Sequence, residues 1–575
     1  FLDAGRGQLL DPFLMKDMDR AAARVRRALA AGEHIAVYGD YDVDGITSTC
    51  LLTDFLRREG GTVIPYIPDR MEEGYGLNRE AVAALRGQGV GLIVTVDCGI
   101  TAVEEAACAA SLGVELVITD HHECKAALPA AAAVVDPRRA DCPYPFKCLA
   151  GVGVALKLVL ALGGPARRDE LLERYADLAA IGTVADVMSL TGENRTIVRL
   201  GLEALRRTGR PGLRALLHEA GLDERPLTAT AIGYTLAPRI NASGRMGCAS
   251  LAGELLLTDD PARGEELSRA LCDLNRERQA IEAEIYTECQ AMAEALPQPQ
   301  RHALVLAGEQ WHQGVVGIVA SRLAEQFACP TFMVCLDQGM GKGSCRSWGG
   351  VNLFQMLQSC APLLESFGGH AMAAGFTVRE ENIPALADAL RRAVEAAPKQ
   401  AASCLEADAA VLPESLTVPA VEELDLLEPW GAEHDCVPLI AAADIAAYVD
   451  KAPRGPVGVL LSGDTGFYSG AKGLWPLLGN HEVITIPGIS SLSYFCARLQ
   501  TTWQDARLVS AHGRSHNAVG EIQRSAKVFA LTGGATKAED ICRALAERGL
   551  GQVRVSVGER LSYADERIVT GTAAE

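Results

Sequence analysis

Asp40, Asp42 and Asp44 stand two residues apart in Tyr38-Gly39-Asp40-Tyr41-Asp42-Val43-Asp44-Gly45, directly after the apolar run Ile35-Ala36-Val37-Tyr38. Asp97 follows a second apolar run, 91–96, and Asp120-His121-His122 follow a third, 116–119. Carboxylate oxygens suit hard cations such as Mg²⁺ and Mn²⁺, and added imidazoles shift the preference toward Mn²⁺. The set therefore points to divalent-metal phosphoester chemistry. Asp186 is a further acid after a small, apolar stretch, which reads equally as a strand or as the end of a helix. Together these residues supply ligands for two ions bridged by one carboxylate, a clamp on attacking and leaving oxygens with ions about 3.5–4 Å apart. A lone Asp at a strand end is ordinarily a turn or helix cap. Several such acids with a His pair are a different matter, because independent signals agree.

The elements that must hold them are short and buried. Runs 35–38, 91–96 and 116–119 predict strands of an open α/β sheet, which places ligands at the carboxyl ends of its strands. The stretch from Glu265 to Leu296 is rich in Ala, Glu, Arg and Leu and lacks Pro and Gly, so it predicts a long helix tying two lobes across a cleft. The second lobe opens with a strand over 303–307. Trp311-His312-Gln313-Gly314 follows, where glycine allows close backbone approach at a helix start, a ready anion site.

These residues resemble the DHH phosphoesterase superfamily and, within it, the RecJ-type exonucleases. By that likeness Asp42, Asp44, Asp97, His121 and Asp186 are metal ligands and Asp40 completes one ion's shell. His122 faces the scissile phosphate, and Asp97 and Asp120 count with it as catalytic residues. The chain departs from some relatives by carrying Tyr38 where they carry His. Pro238-Arg239-Ile240-Asn241-Ala242-Ser243-Gly244-Arg245 is similar to the RecJ pattern closing the first lobe, and Arg239, Asn241 and Arg245 are its expected substrate contacts. Gly343-Ser344-Cys345-Arg346 and Gly368-Gly369-His370 resemble the DHHA1 substrate-binding domain. His312, Ser344, Arg346, Gly369 and His370 are then expected to meet the strand's phosphates or its 5′ end. The resemblance implies hydrolysis of single-stranded DNA from the 5′ end to mononucleotides with two Mn²⁺ or Mg²⁺ ions, in DNA repair and recombination. Single-stranded DNA is the expected partner, with other repair proteins as candidates.

The chain carries 54 basic and 73 acidic residues, a formal charge of −19, unlike a generic nucleic-acid binder. Any DNA path must be a local basic channel rather than a global field. A length of 575 residues allows three or four domains, and 49% hydrophobic content fills their cores. No uninterrupted apolar stretch long enough to span a membrane is present, and no membrane partner is expected. The start at Phe1 is not a secretory signal and reads as a fragment's start. Seventeen cysteines without metal-type spacing suggest reduced thiols in a cytoplasmic protein.

The pattern changes after about residue 440. Residues 405–435 resemble the start of the RecJ OB-type domain, which does not continue. Instead the run from Val457 through Ser462-Gly463-Asp464 to Lys472, and onward to the end, resembles cobalt-precorrin-7 (precorrin-6Y) C5-methyltransferase of cobalamin biosynthesis. By that likeness Ser462, Gly463, Asp464, Pro487 and Gly488 line an S-adenosylmethionine site. The family's opening strand and glycine-proline loop are missing, so the remnant is expected to bind neither cofactor nor corrinoid well. Both partners are cut inside a domain rather than at an exposed linker, which favours a deletion or misassembled coding stretch over a natural fusion.

The fold expected is α/β. A parallel-sheet DHH domain (1–250) is joined by a long helix (251–299) to a smaller α/β DHHA1 domain (300–397), then an OB remnant (400–440) and a partial methylase α/β domain (445–575). Three rival functions have discriminators. A DHH–DHHA1 nanoRNase or cyclic-dinucleotide phosphodiesterase prefers dinucleotides to long strands; a methyltransferase must bind S-adenosylmethionine; a non-catalytic scaffold must ignore Mn²⁺.

Overall fold

The computed structural model describes residues 4–70, 73–223, 226–297, 302–396 and 423–431, then 491–501, 506–510, 518–532, 537–559, 561 and 566–574. They fall into two compact units, the first holding everything described up to 431 and the second everything from 491 onward.

The first unit begins with α1 (Met18–Ala31) and then alternates: β1 (His34–Tyr38), α2 (Val43–Arg58), β2 (Val63–Tyr66), α3 (Arg79–Gly87), β3 (Val90–Val96), α4 (Val103–Ser111), β4 (Glu115–Thr119) and β5 (Ala133–Val135). All five strands are parallel, in the order β2-β1-β3-β4-β5, with Val37 opposite Val94 and Val94 opposite Val117. Period-two alternation sends Ile35, Val37, Val94 and Val117 into one core and Ala36, Tyr38, Ile93 and Ile118 into the other. The strand order reverses between β1 and β3, which is the topological switch point where an open sheet presents a crevice. The acids after β1 and β3 flank that point.

Helix α5 (Gly151–Gly163) packs on the sheet, α6 (Arg168–Ala185) on α5 and α2, and α7 (Gly192–Leu205) on α6, followed by α8 (Pro211–Glu219). Then come α9 (Ala229–Ala231), a π-helical turn (Ile232–Leu236), α10 (Ala237–Arg245) and α11 (Ala249–Leu257). The long α12 (Pro261–Ala295) starts four residues before the sequence expectation, with Asp260 as N-cap and Pro261 in the first turn. It leads to β6 (Leu304–Glu309), α13 (Gln313–Phe327), β7 (Thr331–Asp337), β8 (Met340–Arg346), α14 (Leu353–Ser359), β9 (Leu364–Gly369), β10 (Ala373–Arg379) and α15 (Ile383–Ala396). This second sheet has the order β6-β7-β8-β10-β9 and is mixed, only β6 and β7 being parallel. Arg278 on α12 bonds Glu282 (2.5 Å) and Asn275 (2.7 Å), while Glu282 also takes Arg322 of α13 (2.9 Å), fixing the connecting helix to the smaller lobe.

Of the expected OB remnant only 423–431 is described, a 3₁₀ turn (Glu423–Leu427) and the residues after it. The junction near 440 and Ser462, Gly463, Asp464, Pro487 and Gly488 lie outside the described residues. In the second unit α16 (Ser491–Arg498), β11 (Arg507–Ser510), α17 (Ala518–Arg524), β12 (Val528–Leu531), α18 (Ala538–Glu547), β13 (Arg554–Glu559) and β14 (Arg567–Thr572) form a parallel pair, β11-β12, and an antiparallel pair, β13-β14. Among the described residues no helix is long and apolar enough to cross a membrane.

Candidate metal and phosphate site

β1 ends at Tyr38, and the chain turns through Asp40 and Asp42 into α2. Asp42 is that helix's N-cap, its Oδ1 accepting the Gly45 N–H at 3.0 Å. Asp44 lies in the first turn, buried, and accepts N–H bonds from Gly151 (2.6 Å) and Val152 (2.9 Å) at the start of α5. That helix start is held against the site because residue 151 has no side chain: a Cβ there would lie 2.5 Å from Asp97. Asp97 follows β3 in a left-handed conformation (φ 60°), one that Asp tolerates better than most residues. Asp186 caps α6, so of the two settings open from sequence the helix end is the one adopted.

These residues converge. His121 Nε2 lies 3.1 Å from Asp97 Oδ1, 3.8 Å from Asp44 Oδ2 and 3.7 Å from Asp186 Oδ2. One donor set, Asp44, His121 and Asp186, and another, Asp40, Asp42 and Asp97, each bring their ligand atoms within 4.8 Å of one another, as do Asp97, His121 and His122. Asp97 therefore stands between two neighbouring sets. His121 Nε2, Asp97 Oδ1 and Asp40 Oδ1 are buried and without hydrogen-bond partners, although buried polar atoms are nearly always satisfied. Burial and mutual repulsion push Asp40, Asp44 and Asp97 well above the usual carboxylate range and Asp186 to about 7. Burial, with the charge of His122, holds His121 down to about 3. A neutral imidazole and crowded acids with unpartnered atoms in two adjoining sets fit divalent cations.

Asp120 has another task. Its carboxylate is fully buried and accepts N–H bonds from Ile100 (2.8 Å), His121 (2.7 Å) and His122 (3.2 Å) together with the His122 Nδ1–H (2.7 Å). It positions His122 rather than facing the crevice. Burial would lower the His122 pKa, but the bond and charge of Asp120 raise it to about 9. Tyr38, at the position where some relatives carry His, is fully buried, donates to Gly76 O (3.0 Å) and stacks on Tyr66 at 5.0 Å. Its hydroxyl serves the 73–78 loop.

The phosphate candidates divide. Arg245, at the end of α10, donates to Gly314 O (3.0 Å) at the start of α13, joining the two lobes. Burial and the charges of Arg70, Arg346 and Arg278 lower its pKa to about 10 against the opposing charge of Asp42. Arg346, at the end of β8, donates to Ser344 Oγ (3.2 Å) and feels Arg70 as well. Arg239 is six residues before Arg245, about 120° away around the helix. It is tied to Thr235 O and keeps a buried Nε without a partner. Asn241 lies on the same helix and is half-buried. His312 caps α13 through Gly314 N–H (3.1 Å). Gly369 (φ 132°) and His370 form the exposed β9–β10 hairpin, pinned beside Arg346 by the Ser347 N–H to Met372 O bond (2.9 Å).

Arg70 and Tyr75 are missing from the sequence reading. Arg70 lies 5.0 Å over the Tyr41 ring and its charge reaches Asp40, Arg245 and Arg346. Tyr75 places its hydroxyl 3.3 Å from His122 Nδ1. Arg70 follows β2, but an arginine in the polar stretch Pro68-Asp69-Arg70 carries no spacing of the kind that marked the acids.

Residues 34–183 match the DHH family N-terminal domain, 300–396 the DHHA1 domain and 378–575 the Tetrapyrrole (Corrin/Porphyrin) Methylases. The single-stranded-DNA-specific exonuclease RecJ of Dickeya dadantii is 38% identical over 74% of this chain and 77% of its own length. The chain belongs to the RecJ family. RecJ of Bacillus subtilis is 43% identical over 75% of the chain, but the match spans only 55% of that protein. The crystal structure of Thermus thermophilus RecJ with Mn²⁺ superposes with a TM-score of 0.64 at 37% identity, covering 72% of this chain and 60% of that one. The methylase match begins inside the RecJ-like part, yet β10 and α15 belong to the second sheet and its core. The C-terminal region is a tetrapyrrole-methylase domain joined to a RecJ-type core.

Proposed function

We propose that the chain is a two-metal exonuclease that removes nucleotides from the 5′ end of single-stranded DNA. The observation carrying this is the pair of adjoining donor sets, with unpartnered Asp40 Oδ1 and Asp97 Oδ1 in the residues of one and unpartnered His121 Nε2, 3.1 Å from Asp97 Oδ1, in the other, in a RecJ-family chain. Asp40, Asp42 and Asp97 would hold one ion and Asp44, His121 and Asp186 the other. Mn²⁺ is favoured over Mg²⁺ by the imidazole in the set, while crystal structures of the Thermus relative carry either ion. Such ions, when bound, supply charge to the phosphate oxygens and acidify a water for attack.

The chain's own residues do the rest. Asp120 aims His122 so that its Nε2, 3.4 Å from the Tyr75 hydroxyl, meets charge developing on the phosphate. Arg245, Arg346 and Arg70, with Ser344, form the local basic patch that takes the strand's terminal phosphates, as a chain of charge −19 requires. Likeness to the RecJ relatives supports 5′ to 3′ polarity and action beside other repair proteins, and the cysteine usage supports a cytoplasmic location. The test is release of mononucleotides from 5′-ended single strands with Mn²⁺, in parallel with dinucleotides. Wild type is expected to favour long strands and Asp97→Ala to release nothing; wild-type turnover by that variant would refute the assignment.

A further inference from the structure

The metal ligands are not equally well anchored. Asp44 is locked by two backbone donors and His121 by its place after Asp120, whereas Asp186 sits where α6 ends, 29% exposed. Its aim depends on the path of the chain leaving the helix. That path is strained at once: Val187 is β-branched, 68% exposed, and left-handed at φ 55°. Strain of this kind persists only where the surroundings enforce it. Part of the enforcement comes from Asn194, whose side-chain amide donates to Ser189 O at 3.0 Å.

The rest comes from far along the chain. Arg195 on α7 is 2% exposed and gives its guanidinium to three carbonyls of one short segment: Leu427 (2.8 Å), Glu428 (2.8 Å) and Pro429 (3.0 Å). Two residues later Gly431 presses on Leu190, four residues past Asp186. A Cβ at 431 would lie 2.6 Å from Leu190 Cγ. Leu190 is itself buried at 2% exposure.

We propose that residues 427–431 are a strap belonging to the metal centre: held by Arg195 and seated on Leu190, they fix the 186–190 turn and so aim Asp186. Arg195 and Gly431 are positioning residues in this account, which rests on the metal reading above. A segment lying beyond the DHHA1 lobe is then needed for metal affinity, although it contributes no ligand.

The full chain, Arg195→Ala and Gly431→Ala are compared by Mn²⁺ calorimetry, by hydrogen exchange over 183–192, and by nucleotide release as Mn²⁺ is raised. Both variants are expected to need at least fivefold more Mn²⁺ for half-saturation and to exchange faster over that turn. Saturating Mn²⁺ is expected to restore their rates to within about threefold of wild type. Folded variants whose Mn²⁺ half-saturation stays within twofold of wild type would overturn the strap. If Arg195→Ala fails to fold, Gly431→Ala, which keeps the guanidinium clamp, decides alone. Absence of Mn²⁺ binding by the wild-type chain would overturn the underlying metal reading instead, a result distinct from any effect of the variants.

Discussion

His122 and Asp120 illustrate how much of this site is decided by single atoms. Asp120→Asn keeps one acceptor oxygen for the His121 and His122 N–H groups, turns its NH2 toward the Ile100 N–H and removes the anionic partner of His122 Nδ1. Losing such a supporting partner ordinarily costs about 10–100-fold, so kcat is expected to fall by that much while Mn²⁺ affinity changes little. His122→Ala should cost more, roughly 10²–10⁴-fold, if its imidazole serves the phosphate directly. Steady-state rates at saturating Mn²⁺ check both, and an unchanged kcat in either variant would remove His122 from the mechanism. Asp40, Asp42, Asp44, Asp97 and Asp120 were legible because they follow apolar strands, whereas Asp186 stands at the end of α6 and its stretch left strand or helix open. Arg70 and Tyr75 were not legible, because an arginine or tyrosine in a polar loop carries no periodic signature, and only the fold brings them to Asp40 and His122.

Among the elements, α2 carries Asp42 and Asp44, the first proposed metal ligands, at one end and is pinned at the other by Asp54. That carboxylate accepts from Tyr175 (2.9 Å) and Arg174 (3.1 Å) of α6 and from Arg58 (3.0 Å), with Arg210 at 3.9 Å. Burial alone would raise its pKa, but the bonds to Arg58 and Tyr175 and the charges of Arg210 and Arg174 outweigh it and leave it lowered. A folded pKa below the unfolded one stabilises the protein above the ordinary carboxylate range, and the contribution is lost as pH falls through the lowered value. Asp54→Asn is therefore expected to cost about 3 kcal/mol at neutral pH and to flatten the acid limb of stability, as seen by denaturant melts from pH 7 to 3. An acid limb unchanged from wild type would contradict the role. The long helix was legible in its composition, but Gly264 and Pro261 hid its first turn. Pro261 is a first-turn proline, and Gly264 lets the helix approach Gly212 of α8, where a Cβ would lie 3.0 Å from the partner backbone. The π-helical turn at Ile232–Leu236 has no signal in the sequence that separates it from an ordinary helix.

At the scale of the whole molecule, a charge of −19 means that the proposed DNA substrate would have to be held by one patch. If Arg70, Arg245 and Arg346 neutralise about three phosphates, the log–log salt dependence of single-strand affinity should have a slope of about −2, since each contributes about −0.7. Arg346→Ala should make it shallower by about 0.7. A slope near that of a broadly basic binder would show that the strand runs elsewhere. The parallel sheet could be read from its buried strands, yet its order was not: only the structure shows the reversal between β1 and β3 that places both acid groups at one crevice. The change of family toward the C-terminus was also visible in the sequence, and calorimetry with S-adenosylmethionine is expected to give no saturable heat. The central claim is that distant acids and one imidazole gather a pair of cations. Anomalous diffraction from crystals grown with Mn²⁺ tests it most directly. Two manganese peaks are predicted, one among Asp40, Asp42 and Asp97 and one among Asp44, His121 and Asp186; no peak at these side chains would contradict the account.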